Sequence, residues 1–283
     1  MLTSLLTVWA AGMAAPFAPE GERNGALDSA TLADEALALL DRALEVATDP
    51  STLYLAQQQK ATTLFQTSRY EEAATLLEPL VRRQDAGTPT TLLASAYRKL
   101  GHDGEAIELL QAERLRAASF VLSSLTQEVG MRSDAAFALA AGDAAEAIYA
   151  SLDMGAVNPL FPVTMSLEVG EVLRREGEKD GALEALARAV DALAAAPVNP
   201  DPSGSPLWDR MANRLDPAQA GEAWAEHKAR QAGEATGFMR RAVAEEVTSP
   251  EWRDLAGDDP RYREIVGTAT RLSSEKVAAD GEA

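Results

Sequence analysis

A spacing of small and apolar residues recurs about every 34 residues in this chain, and it constrains the fold more than any other feature. Each copy is counted from one alanine, called its anchor. A turn residue lies five positions before the anchor, a large residue lies nine before it and a small residue lies twelve before it. A leucine lies four positions after the anchor. Two copies fill all four positions: Gly101, Tyr97, Ala94 and Leu110 around Ala106, and Gly177, Leu173, Gly170 and Leu186 around Ala182. Looser copies surround Ala73 and Ala147, and Ala36 carries the second half alone. The anchors lie 37, 33, 41 and 35 residues apart, which predicts stacked copies of one structural unit.

The unit itself is predicted to be helical. From residue 30 onward, apolar residues recur three and four positions apart, and no sustained alternation of strand type interrupts them. Small residues at matched positions let two antiparallel helices approach closely, with Leu93, Tyr97 and Leu110 filling the gaps between them. A turn glycine supplies the positive φ that ends the first helix. The pattern therefore predicts an all-α chain built from antiparallel helical hairpins.

These residues resemble the tetratricopeptide repeat (TPR), a helical hairpin with Leu-Gly or Leu-Ala and Tyr before the turn and alanines after it. Residues 92–110 and 167–189 carry the signature well, and residues 60–80 carry it moderately. The large opening residue of the family is absent, with Thr90 and Ser166 in its place. The resemblance covers residues 30–196 and implies an α-solenoid, a right-handed superhelix whose concave groove binds proteins or peptides. An alanine-rich helical bundle with the same spacings by chance is the alternative.

Other segments are assigned by composition. Residues 1–29 are a candidate signal peptide and linker, because an apolar run ends in small residues; the first basic residue, Arg23, comes late for a signal peptide. We favour export, periplasmic or secreted, over a cytoplasmic location, with an N-terminal apolar helix as the alternative. Residues 197–206 contain four prolines and predict a linker, hinge or boundary. Residues 207–272 are predicted to form a C-terminal helical cap, and residues 273–283 a frayed tail.

Composition and motifs argue against catalysis. Forty-four acidic residues against 26 basic ones give a net charge of -18, which opposes nucleic-acid binding. There is no cysteine, and neither His102 nor His227 has a second histidine one turn away. Phosphate-binding loops and nucleophile elbows are missing from the sequence, and the calcium-like run at 199–204 has Arg210 where the closing glutamate belongs. We predict no catalytic residue, no metal site, no cofactor and no transmembrane segment.

Charge distribution indicates a binding surface. Residues 51–100 carry six bases and four acids, whereas the other fifty-residue blocks are negative. In the TPR register, Arg98 and Lys99 end the first helix of one hairpin, and Arg174 and Arg175 occupy the same places in a later one. Ser95 and Glu171 lie one turn earlier on that face. We therefore predict a partner-binding set that receives an acidic peptide: Ser95, Arg98, Lys99, Glu171, Arg174 and Arg175. A row of solvated cations is the competing explanation.

The function predicted from these observations is a non-catalytic protein–protein interaction scaffold, monomeric or in a transient complex. A chaperone carboxy-terminus is not the favoured ligand, because Gln58, Thr62, Thr91 and Ser95 stand where clamp lysines and asparagines would lie. The alternative is an extracytoplasmic envelope or carbohydrate-associated factor whose region after residue 206 holds the ligand. The tryptophans at 208, 224 and 252 separate the two: packed inward they form a cap, and exposed around His227 they would line a pocket.

Overall fold

The computed structural model describes residues 29–82, 89–211 and 222–275. Within those ranges the chain is all-α, as predicted, with no strand and two short 3₁₀ turns, Met154–Ala156 and Pro202–Gly204. The α-helices are α1 (Ser29–Val46), α2 (Pro50–Gln66), α3 (Tyr70–Arg82), α4 (Thr90–Lys99), α5 (Asp103–Met131), α6 (Ala135–Ser151), α7 (Phe161–Arg175), α8 (Lys179–Ala195), α9 (Glu222–Val247), α10 (Pro250–Ala256) and α11 (Pro260–Ser274). Two expectations fall outside the described residues: the signal peptide and the part of the predicted tail beyond residue 275.

The chain divides into two compact units, Met1–Glu113 and Arg114–Ala283. The division falls inside α5, so that helix contributes residues to both units. The proline-rich segment 197–206 lies within the second unit, where Pro202 and Ser205 are buried.

The core of the first unit forms where consecutive helices pack: α1 on α2, α2 on α3 and α3 on α4. Leu77 and Leu80 of α3 are buried against Ala61 of α2 and against Leu93 and Ala96 of α4. These apolar residues recur three and four apart within each helix, so they form one stripe per helix facing the next element. A second cluster joins α1, α2 and α3 through Leu37, Leu64 and Ala73.

The core of the second unit centres on α7, which packs on α6 and α8. A Cβ atom at Gly170 would lie 3.4 Å from the Cβ of Ala185, so these two helices approach closely at the glycine. The helices α9 and α11 pack on each other and on α8, and the Trp252 ring of α10 lies against Gly170. Helix α10 begins with Pro250 in its first turn, and the Ser249 side chain before it makes no capping hydrogen bond.

Three turns share one backbone geometry, between α2 and α3, α4 and α5, and α7 and α8. Each contains one residue at positive φ: Ser68 at 63°, Gly101 at 82° and Gly177 at 78°. In each turn the next residue donates a backbone hydrogen bond to the carbonyl five positions earlier: Arg69 to Leu64, His102 to Tyr97 and Glu178 to Leu173, all 2.9 Å. This bond is the mark of a Schellman turn, which satisfies the carbonyls left free at a helix end. The predicted positive φ at Gly101 and Gly177 is confirmed.

Two details of the predicted repeat are wrong. The copy anchored on Ala147 fails, because Gly142 lies inside α6 and Ala145, not Ala147, is buried. Leu110 does not fill a gap between helices: 38% of it is exposed, and Leu109 packs on the core of the first unit instead.

Candidate functional site

The basic pair Arg98 and Lys99 lies in the last turn of α4, in the first unit. Both side chains are exposed, and within the described residues neither forms an ion pair or hydrogen bond. Ser95, also exposed, donates its hydroxyl to the Thr91 carbonyl of its own helix at 2.8 Å. The pair is therefore available to a ligand, and it also complements the negative end of the helix dipole.

A hydrogen bond from Tyr97 holds the end of the helix that carries this pair. Tyr97 is half-buried against the core of the first unit, and its hydroxyl donates to Glu78 Oε1 of α3 at 3.0 Å. Burial, followed by the hydrogen bond to Glu78, raises the pKa of Tyr97. The hydroxyl therefore stays protonated at neutral pH and ties the end of α4 to α3.

The matching pair on α7, Arg174 and Arg175, has a different environment in the second unit. Arg174 forms a bidentate ion pair with Glu171, with Nε and Nη2 each 2.7 Å from a carboxylate oxygen. The Arg174 side chain is only 18% exposed, and its guanidinium carbon lies 6.0 Å from the centroid of the Trp252 ring. Arg175 Nε lies 3.6 Å from Glu171 Oε1. Glu171 therefore engages both arginines, and Arg174 also contacts the C-terminal helices.

The six residues predicted to bind a partner thus fall into two separate groups. Ser95, Arg98 and Lys99 lie together on α4, and Glu171, Arg174 and Arg175 lie together on α7, each group in its own unit. Positions equivalent in sequence differ in availability: the α4 cations have no partner among the described residues, whereas Arg174 is held by Glu171.

Two tryptophans of the C-terminal region point inward. Trp208 and Trp252 are fully buried, and Trp208 Nε1 donates to the carbonyls of Leu152 and Asp153 at 2.7 and 3.1 Å. Trp252 Nε1 donates to Glu246 Oε1 at 3.0 Å. A ring that is buried with its N–H satisfied is a packing element, so these two tryptophans fit the cap rather than a pocket. The side chains of Trp224 and His227 are not among those that the structure describes.

A pocket of about 320 Å³ lies between α6 and α7 in the second unit. Its wall on α6 carries Leu139, Asp143, Glu146 and Tyr149, its wall on α7 carries Phe161, Met165 and Val169, and Arg188 of α8 closes one side. The rings of Tyr149 and Phe161 stack with centroids 5.9 Å apart. Sequence reasoning missed this pocket because residues 115–146 carry no hairpin signature, although Leu139, Asp143, Glu146 and Ala150 follow one face of a helix.

A second pocket, of about 290 Å³, lies between α8 and α11. Leu183, Val190 and Ile265 form its apolar part. Arg261 on its edge is held by Asp180 at 2.6 Å and Asp259 at 2.9 Å. The pair with Asp180 links α11 to α8, and Asp259 caps α11 itself, so a structural role is sufficient for these charged groups.

Nothing in the described residues assembles a metal centre or a membrane span. No group of three histidine or acidic residues in ranges 29–82, 89–211 and 222–275 is placed to hold an ion. No helix in that part of the chain has the length and apolar character needed to cross a bilayer.

No protein-family model matches the sequence, and no curated protein matches it significantly.

Proposed function

We propose that this chain is a non-catalytic interaction scaffold of the TPR type, with antiparallel helical hairpins arranged as a solenoid and an acidic protein segment as its ligand. The observation that carries the proposal is the repetition of one turn. Three helix–turn–helix units end their first helix with a residue at positive φ and the same backbone hydrogen bond, at the same offset from a buried alanine. Repeated units of this kind present regularly spaced side chains along one surface.

The charges on α4 define the ligand class. In a chain with a net charge of -18, Arg98 and Lys99 are exposed cations without a partner among the described residues. A carboxylate from a partner would gain charge-assisted hydrogen bonds there without first displacing an internal acid. Arg174 would have to leave Glu171 to do the same, so the proposed contact uses the α4 pair.

The test is capture of partners from the native source by the full chain and by the double variant R98A/K99A. The matched control is R42A/R82A, which removes two exposed cations of the same unit that pair with Glu45 and Glu78 at 3.5 and 3.6 Å. We expect a partner that the parent and the control retain and that R98A/K99A loses, and retention should weaken as salt is raised.

Equal capture by all three proteins would refute the role of the α4 pair. Circular dichroism melts of the variants show whether a loss of binding reflects unfolding. Both cations of the pair are exposed, so we expect melting temperatures close to the parent's.

A further inference from the structure

The pocket between α6 and α7 combines a buried apolar floor with exposed side chains on the opposite wall, as ligand sites do. Phe161, Met165 and Val169 are buried residues that form its apolar floor. On the opposite wall Leu139 is 44% exposed, although the helix around it is well packed through Ala138, Ala141 and Ala145. At about 320 Å³ the space lies at the lower end of ligand pockets, roughly 300–1,000 Å³, and suits one or two inserted side chains.

Gly142 keeps the two walls at their present separation. A Cβ atom at this position would lie 3.4 Å from Val169 Cγ2, so a larger side chain would fill the space between α6 and α7. The aromatic end of the pocket is fixed as well, because the Tyr149 hydroxyl donates to the Asn158 carbonyl at 3.2 Å. Burial raises the pKa of Tyr149, so this hydroxyl stays protonated at neutral pH.

Three charged side chains line the pocket: Asp143 and Glu146 of α6 and Arg188 of α8. Asp143 and Glu146 lie three residues apart on α6, which places them on one face of the helix. Both are exposed, as is Arg188 across the pocket, and within the described part of the chain none of the three forms an ion pair. Two acids against one base leave the rim with an excess negative charge, next to an apolar floor.

We propose that the α6–α7 pocket binds a segment of a partner protein in which an apolar side chain stands beside a lysine or arginine. The apolar side chain enters the floor formed by Phe161, Met165 and Val169. The neighbouring cation lies at Asp143 and Glu146, whose carboxylates accept its hydrogen bonds. This site belongs to the second unit and needs none of the residues proposed to contact an acidic ligand, so either proposal stands or fails alone.

The test uses three blocked tetrapeptides titrated into the full chain while amide chemical shifts are recorded. Acetyl-KLFK-amide carries both features, acetyl-ELFE-amide reverses the charge, and acetyl-KGGK-amide removes the apolar side chains. We expect acetyl-KLFK-amide to bind with a dissociation constant of about 1 mM or lower, with shifts centred on α6 and α7. The other two peptides should bind at least about tenfold more weakly, because each lacks one of the two contributions.

Two variants examine the two halves of the pocket, each with a matched control in the same unit. D143N/E146Q removes the rim acids, and its control E245Q/D254N neutralises two exposed acids elsewhere. L139S removes the exposed wall leucine, and its control F238S removes an aromatic side chain that is 64% exposed. We expect about tenfold weaker binding of acetyl-KLFK-amide by D143N/E146Q at low salt and unchanged binding by both controls. L139S should weaken binding by a smaller factor.

Three results would overturn the proposal. One is the absence of saturable binding of acetyl-KLFK-amide up to about 5 mM. Another is equal affinity for acetyl-ELFE-amide or acetyl-KGGK-amide. The third is a loss of affinity in D143N/E146Q no larger than in its control. Circular dichroism melts of all four variants identify any protein that fails to fold. If L139S and D143N/E146Q both misfold, the comparison of the three peptides on the parent protein decides the proposal.

Discussion

Replacing the turn glycine Gly101 with alanine should destabilise the protein, whereas the same replacement at Gly104, three residues further along the chain, should stabilise it. Gly101 has φ at 82°, and nothing lies within 4 Å of where its Cβ would be. Gly104, in the first turn of α5, also has open space around it, but its φ is ordinary. G104A therefore measures the gain from a stiffer unfolded chain, and the difference between G104A and G101A measures the cost of the left-handed conformation.

The expected magnitudes follow from these two terms. An L-residue in the left-handed region costs about 1–2 kcal/mol, and replacing glycine by alanine recovers about 0.4–1 kcal/mol through the unfolded state. G101A should therefore lower the free energy of unfolding by about 1 kcal/mol, and G104A should raise it by about 0.5 kcal/mol. Ser68 has φ at 63°, so in S68G the same two terms act with opposite sign. S68G also removes the hydrogen bond that Tyr70 donates to Ser68 Oγ at 3.2 Å, so the net stabilisation should be about 0.5 kcal/mol.

Urea denaturation followed by far-ultraviolet circular dichroism measures all three variants under one set of conditions. The comparison requires equal slopes of free energy against urea, since a changed slope would signal a different unfolded state. The reasoning is refuted if G101A is as stable as the parent, or if G101A and G104A shift the midpoint in the same direction.

Three further substitutions test contacts in the second unit, each by urea denaturation. W208F removes the donor to the carbonyls of Leu152 and Asp153, which lie in partly buried surroundings, so it should cost about 0.5–1.5 kcal/mol; an unchanged midpoint would show that water replaces the indole N–H. G170V should cost about 1–3 kcal/mol, because its side chain would meet Ala185 and Trp252, whereas G267V on the open face of α11 should cost well under that amount. Burial raises the pKa of Glu168 above its ordinary value of 4.5, with a smaller opposing effect from Arg175. A raised carboxyl pKa means that the ionised form is disfavoured in the folded state, so E168Q should stabilise the protein at pH 7, and the difference should vanish below about pH 4.5; a constant difference across this range would contradict the assignment.

The helical class and the two strongest turns follow from sequence because their determinants are local. A 3.6-residue apolar period and a glycine at a helix end each specify backbone structure within a few residues. Ser68 shows the limit of reading residue types, since it takes the same positive φ as Gly101 and Gly177 without being glycine. Its turn was recognisable only from its offset to Ala73.

The two wrong details of the predicted repeat arise where the residue types are compatible with more than one buried helix face. Alanine is so frequent in α6 that the sequence cannot distinguish Ala145, which is buried, from Ala147, which is not. Leu109 and Leu110 are adjacent and equally apolar, and only the packing of α5 selects the former. Uninterrupted helix from Asp103 to Met131 likewise left no turn residue to mark a repeat boundary.

The candidate binding residues were predictable in part. Exposure of Arg98 and Lys99 follows from their place on a polar helix face, and the ion pair of Arg174 with Glu171 follows from their three-residue spacing within α7. Only the contact of Arg174 with Trp252 depends on tertiary packing. The α6–α7 pocket requires three helices to meet, and no spacing within one helix encodes it.

The hydrogen bond from Trp208 to Leu152 joins residues 56 positions apart, and this has a consequence for the order of folding. Closing a loop of that length costs chain entropy that local helix turns do not incur, so the contact should form after α7 and α8 have associated. The buried indole would then report a late event in a variant whose other three tryptophans, at 9, 224 and 252, are replaced by phenylalanine. In that variant the fluorescence of Trp208 should change more slowly than the far-ultraviolet signal of the helices when the protein is refolded from urea. Trp208 thus serves as an intrinsic probe of the folding step in which the proline-rich segment packs into the second unit.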